Sequence, residues 1–146
     1  MAHIFVSSDH GGFEAKKKVL DALESLECTY EDLGPSNYNP DDDYPRYSKY
    51  LCEKVLENKD SKGILICGSG VGVAIAANKI EGIRAVQGYD IYTAKMARLD
   101  EDANVLTLRA REFDTNRYYE IIKSFLETEF SQEERHIRRI NELETK

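Results

Sequence analysis

Nine residues near the middle of the chain, Ile64-Leu65-Ile66-Cys67-Gly68-Ser69-Gly70-Val71-Gly72, restrict its fold more than any other stretch. The apolar run Ile64-Leu65-Ile66 has the pattern of a buried strand. Alternating glycines follow it, ahead of the small-residue segment Val73 to Asn78, and read as a turn into a helix. Such glycines let successive backbone N–H groups converge on one point, where the dipole of the helix adds positive potential. A thiol at the mouth of this nest would have its thiolate form favoured, so a base at Cys67 would stand beside an oxyanion cradle made by Gly68, Ser69, Gly70, Val71 and Gly72. The plainer reading is that Cys67 is a small buried hydrophobe at a strand end. These residues alone leave both open. The loop lacks the Lys-Ser/Thr pair of a P-loop, and a dinucleotide fingerprint should follow the first strand, not a middle one. Both points argue against ATP and NAD.

The rest of the chain repeats this strand-then-helix alternation. Ile4-Phe5-Val6 reads as a strand that turns at Asp9-His10-Gly11-Gly12 into a lysine-rich helix with Val19, Leu20, Leu23 and Leu26 at helical spacing. Residues 28–33 read as a second strand, followed by a polar loop from Ser36 to Asp43 and a helix with Leu51, Cys52, Val55 and Leu56 on one face. Residues 84–88 and 104–108 give two more strands, with helices at Ile91 to Leu99 and around Tyr118, Ile121, Ile122 and Phe125. Five such units predict a single α/β domain over residues 1–146, with an open, Rossmann-like, parallel five-stranded sheet and helices on both faces. Ligands in such folds bind beyond the carboxyl ends of the strands. The loops to watch therefore carry Asp9-His10, Asp43-Tyr44, Cys67 to Gly72, Tyr89-Asp90 and Arg109 to Arg111.

A formal charge of −7, from 20 basic and 27 acidic residues, argues against nucleic acid as a general partner. No run approaches the length of a membrane span. The strand pattern begins at His3 with no signal sequence ahead of it. Cys28, Cys52 and Cys67 lack paired metal spacing and are odd in number. A cytoplasmic protein without disulfides or zinc is the expectation.

The last segment, residues 131–146, predicts an extension helix from Glu133 to Glu144 rich in cations. Arg135 and Arg139 are four apart and project from one face, as two guanidinium forks suited to a phosphate dianion would. Surface pairing with Glu133, Glu134, Glu142 and Glu144 is the alternative. The narrow strip Ile137, Ile140, Leu143 suits packing on another subunit.

Six motifs stand here in order: Asp9-His10-Gly-Gly, Asp43-Tyr44-Pro45, Ile66-Cys67-Gly-Ser-Gly-Val-Gly, Ala76-Ala-Asn-Lys, Gly82-Ile-Arg84-Ala and Arg135-His136-x-x-Arg139. Together they closely resemble the type B ribose-5-phosphate isomerases and the related galactose-6-phosphate isomerase subunits, over nearly the whole chain. The resemblance implies an aldose–ketose isomerase that works through a cis-enediolate without metal or cofactor. It places Cys67 at the family's thiol base, and Val73 where some relatives carry a glutamate base instead. Ser69 keeps a hydroxyl beside the base. Asp9 matches the residue that contacts sugar hydroxyls during ring opening; His10, Arg111, Arg135 and Arg139 match phosphate positions, and Tyr44 would line the sugar pocket. Active sites shared between two subunits, in a homodimer or a dimer of dimers, are also implied.

Two positions depart from the family pattern. Asp100-Glu101 stands where relatives carry His-Asn, whose histidine helps open the sugar ring, and Arg109 replaces a small residue. Asp100 either takes over ring opening, its pKa raised by burial or by Glu101 and Asp102, or points to solvent and leaves the step to Asp9 or water. The run of three acids favours a solvated loop. Ribose 5-phosphate is the expected substrate. A six-carbon aldose phosphate, such as allose or galactose 6-phosphate, and a non-catalytic phosphosugar-binding role are the alternatives.

Overall fold

The apolar runs become β1 (Ile4–Ser8), β2 (Tyr30–Asp32), β3 (Lys62–Cys67), β4 (Ala85–Gln87) and β5 (Val105–Arg109) in a computed structural model that describes residues 2–145. All neighbours pair in parallel, in the order β2-β1-β3-β5-β4. Successive side chains point to opposite faces, so Ile4, Val6, Ile64, Ile66, Leu106 and Leu108 join one apolar layer while Phe5, Leu65, Cys67 and Val105 join the other. The first layer is closed by α1 (Lys16–Ser25), α4 (Ile91–Leu99) and α5 (Tyr118–Glu127), through residues such as Val19, Leu23, Ala97, Ile121 and Phe125. Leu51, Cys52 and Val55 of α2 (Tyr44–Glu57) and Val73 and Ala77 of α3 (Val71–Asn78) close the second. Ile4, Ile64, Ile66 and Leu106 are completely buried, each stabilising the fold by about 2 kcal/mol.

The expected elements are present, with boundaries moved for local reasons. The second strand starts at Tyr30 because the Cys28 N–H is used to close α1, on the Leu23 carbonyl at 3.0 Å. Helix α3 starts two residues before the expected Val73, since Gly70 in the left-handed region (φ +75°) already ends the turn. Leu56 departs from the expected buried face of α2: it is 47 % exposed, near Gly82 at the rim. No helix among the described residues is long and apolar enough to cross a membrane.

This topology creates two different edges. The chain leaves β1 outward to β2 and returns past it to β3, which opens a crevice at the carboxyl ends of β1 and β3. At the opposite, amino edge lies α6 (Glu134–Glu144). Arg84, just before β4, reaches its Glu144 at 2.6 Å, and Ser131 N–H bonds the Leu99 carbonyl at the end of α4.

Candidate active site

A cleft of about 740 Å³ occupies that crevice, a size typical of small-molecule sites. Asp9 and His10 enter it after β1, Tyr44 from the start of α2, Cys67, Gly68, Ser69 and Gly72 after β3, and Arg109, Arg111 and Glu112 after β5. The structure thus brings together most of the residues expected at the site.

Cys67 ends β3 with 5 % exposure, and its Sγ accepts the Gly70 N–H at 3.0 Å. The loop that makes this contact is tied down from behind. Thr107 Oγ1 on β5 donates to the Gly70 carbonyl at 2.8 Å, and the Gln87 amide on β4 donates to the Ser69 carbonyl. With its carbonyls engaged by the sheet, the loop has a fixed shape. Position 70 admits only glycine: φ is positive, and a Cβ would lie 2.6 Å from Gln87 Nε2 and 3.1 Å from the Leu108 carbonyl carbon. Ser69 Oγ accepts the Val71 N–H at 3.2 Å, at the mouth of α3. Arg111 packs its guanidinium directly on the nest, where a Cβ on Gly68 would meet Nη1 at 2.7 Å. The Tyr44 ring closes on Gly72 in the same way.

Asp9 is 7 % exposed and accepts the Gly12 N–H at 3.2 Å. His10 is held by Asp42, whose Oδ1 takes both its backbone N–H at 3.0 Å and its Nδ1 at 2.7 Å. A carboxylate only accepts, so Nδ1 carries the proton in this pair. The Asp42 side chain is 5 % exposed. The neighbouring Tyr47 phenol is pushed above its usual range by burial first and by the Asp42 carboxylate second. Asp9, His10 and Asp42 are the group among the described residues whose donor atoms, all within 4.8 Å of one another, could share a cation. Here the His10 and Asp42 atoms are spent on each other.

The other thiols are poor candidates for proton transfer. Burial pushes Cys52 up to about 12 and raises Cys28. Val73 is fully buried in the apolar layer of α2 and α3, so the alternative base position holds no ionisable group. Arg109 turns back on its own loop, with Nε on the Arg111 carbonyl at 2.7 Å and Nη2 on the Glu112 carbonyl at 2.8 Å.

Asp100, Arg135 and Arg139 are absent from the cleft lining. They stand at the amino edge. Asp100 closes α4 by donating its N–H to the Met96 carbonyl, and its carboxylate lies 3.6 Å from Nε2 of the buried His136 on α6. The solvated loop expected there is only partly realised: the Asp100 side chain is 38 % exposed, and Asp102 is held by Arg98 at 2.8 Å. The reason is that α4, α6 and the turn before β4 supply an imidazole and two guanidiniums to this segment. Arg135 Nε bonds Glu133 at 2.6 Å and remains exposed, whereas Arg139 is exposed with no partner among the described residues.

Asp42, Gln87 and Thr107 escaped sequence reading. Asp42 sits in an acidic run that resembles any solvated loop. The latches from Gln87 and Thr107 depend on strand order, which no local pattern encodes.

An open parallel sheet with a thiol and a glycine nest at its switch point, flanked by an arginine, defines a small-molecule site of anion-handling chemistry. Residues 4–143 match the family model described as Ribose/Galactose Isomerase. A Mycoplasma pneumoniae protein named "Probable ribose-5-phosphate isomerase B" is 42 % identical over 140 residues, which cover 96 % of this chain and 91 % of the relative. The crystal structure of a ribose 5-phosphate isomerase from Thermotoga maritima superposes with a TM-score of 0.92 at 37 % identity, covering 98 % of this chain and 97 % of that one. Ribose-5-phosphate isomerase B from Mycoplasma genitalium, solved with bound ribulose-5-phosphate, gives 0.91 at 38 % identity, with coverages of 97 % and 93 %. The chain belongs to the ribose/galactose isomerase family.

Proposed function

We propose that the cleft interconverts ribose 5-phosphate and ribulose 5-phosphate, with Cys67 as the base. The observation that carries this reading is the Cys67 thiol bonded to the Gly70 N–H within a latched nest. Cys67 takes the proton from C2 of the open aldose, and the negative charge that develops on O1 is met by the nest's N–H groups. Each such donor contributes about 3 kcal/mol when aimed at the developing charge. The same thiol returns the proton to C1 while the O2 hydroxyl proton passes to O1, so that the enediolate's electron pair, now on O2, becomes the C2=O bond of the ketose. Ser69 stands beside the base to hydrogen-bond the enediolate, Asp9 engages the sugar hydroxyls, and Tyr44 walls the sugar. No metal or other cofactor takes part in this scheme.

Arg111 receives the phosphate within the chain. Arg135 and Arg139 serve it from a neighbouring subunit, because α6 lies at the edge of the sheet away from its own cleft. The assembly is a homodimer, or a dimer of dimers, with shared sites. Its setting is the cytoplasm, where free thiols stay reduced. The test is incubation of the purified protein with ribose 5-phosphate and, separately, allose and galactose 6-phosphates. Ketose from the pentose is expected; ketose from a hexose phosphate alone would move the substrate, and none from any of the three would overturn the isomerase reading.

A further inference from the structure

Strand β5 ends at Arg109, which is paired in register with Cys67 on β3. The turn that follows, Ala110-Arg111-Glu112, is stitched to the nest by its backbone. Ala110 N–H donates to the Cys67 carbonyl at 3.1 Å, and Arg111 N–H to the Gly68 carbonyl at 3.0 Å. Those bonds fix where the turn begins. Its far side is held by the Arg109 side chain, with Nε on the Arg111 carbonyl at 2.7 Å and Nη2 on the Glu112 carbonyl at 2.8 Å. The clamp is anchored at its root, since the Arg109 carbonyl accepts the hydroxyl of the buried Tyr118 at 2.6 Å.

Glu112 has φ +50°, in the left-handed region that residues with a side chain seldom adopt. The Arg109 guanidinium captures the carbonyl of that very residue, and a charged donor makes the stronger hydrogen bond. The Glu112 carboxylate, 3.9 Å from Nη2 and 92 % exposed, adds little. Within this turn stands Arg111, whose guanidinium lies against Gly68, the residue after Cys67. Arg111 is exposed, so binding an anion costs it side-chain freedom. In a turn fixed beforehand, binding has no backbone left to order.

We propose that Arg109 is a positioning residue: its guanidinium clamps the turn of residues 110–112, so that Arg111 meets the substrate phosphate at a set reach from Cys67. This rests on the reading above in which Arg111 receives the phosphate. Arg109 spends its Nε and Nη2 on the loop, and it acts through Arg111. Its planar fork reaches two carbonyls at once, which a lysine ammonium on a flexible stem does not reproduce.

A double-mutant cycle tests this, with Arg109→Ala, Arg111→Ala, the pair combined, and Arg109→Lys. Each protein is checked by thermal melting. KM and kcat are measured for ribose 5-phosphate, and the dissociation constant for inorganic phosphate by calorimetry. Arg109→Ala should raise KM and weaken phosphate about 10-fold, the usual worth of one hydrogen bond to a charged group, with kcat held within about threefold. A merely structural residue would lower the melting temperature and kcat and leave KM and phosphate binding unmoved. Arg111→Ala should cost about 100-fold in KM. The combined variant should be within about twofold of Arg111→Ala, because nothing remains for the clamp to position. Arg109→Lys keeps the charge and should still raise KM by about threefold or more. Losses that multiply in the combined variant would put Arg109 on the phosphate itself, and an unchanged KM in Arg109→Lys would reduce its role to charge; either overturns the clamp. Should Arg109→Ala fail to fold, Arg109→Lys takes its place in the cycle. An unchanged Arg111→Ala would overturn the phosphate role of Arg111 and the clamp with it. Phosphate binding reports on the clamp even if no sugar phosphate is turned over, an outcome that would sink the isomerase reading alone.

Discussion

The two edges of this sheet carry opposite kinds of order. At the carboxyl edge, chemistry-bearing groups are held by specific hydrogen bonds: Cys67 by Gly70, the nest by Thr107 and Gln87, and His10 by Asp42. At the amino edge, α6 presents Arg135 and Arg139 outward, one paired only to Glu133 and the other to nothing among the described residues. A reacting centre needs fixed geometry. Cations that meet a remote phosphate can be left exposed until a second surface arrives. The contrast fits one chain supplying the base and cradle of a site while lending its arginines to another.

The largest effect that would test this division is at Cys67. Cys67→Ala should lower kcat by about 10³-fold or more, the upper range for loss of a positioned proton-transfer group, while the melting temperature changes little. Turnover near normal would break the carboxyl-edge assignment. Cys52→Ala is the control: the same chemical change in a fully buried thiol should keep kcat and cost about 1–2 kcal/mol of stability. Gly70→Ala comes next. Its positive φ and the 2.6 Å approach to Gln87 force the loop to shift, and loss of aligned nest donors should cost about 10²-fold in kcat. Normal kinetics there would mean the nest plays no part.

The arginines give a smaller change and a sharper test. A double Arg135→Ala, Arg139→Ala variant should raise KM by about 10- to 100-fold with a lesser effect on kcat, because a remote phosphate is bound in ground and transition states alike. Mixing that variant with Cys67→Ala then asks where the arginines act. If sites are shared, a mixed dimer holds one site with neither defect, and random reassociation restores about a quarter of the native sites. No rescue after unfolding and refolding the mixture would confine each active site to one chain.

How far this was readable from the residues follows from what each signal depends on. Strand β3 and its glycine turn were legible because burial and conformational freedom leave local traces in composition. The five-unit alternation was legible for the same reason, and the site followed from it, since strand ends gather in space whatever the order. Strand order was not legible, so the latch of Thr107 on Gly70 had no local trace. Asp42 reads as loop solvation until the segment folds back over β1. Leu56 failed because a helix face that is apolar in sequence can overrun the sheet it covers.

Asp100 should show the smallest effect, and it tests whether the amino edge carries chemistry as well as charge. Its carboxylate lies 3.6 Å from His136 Nε2 and contributes to the field at Arg135, so it would approach a neighbouring cleft together with the arginines. An acid group there that opened the ring would have to give up its contact with His136 to reach a sugar oxygen. That argues against a proton donor. With its carboxylate already beside His136 and partly exposed, Asp100→Asn should change kcat/KM by no more than about threefold, the scale of a partly exposed charge. Asp100→His should keep or raise activity, by adding an imidazole where relatives carry one. A fall of about 100-fold in folded Asp100→Asn, the usual worth of a proton-transfer group, would place ring opening at the amino edge and leave the carboxyl edge with isomerisation alone.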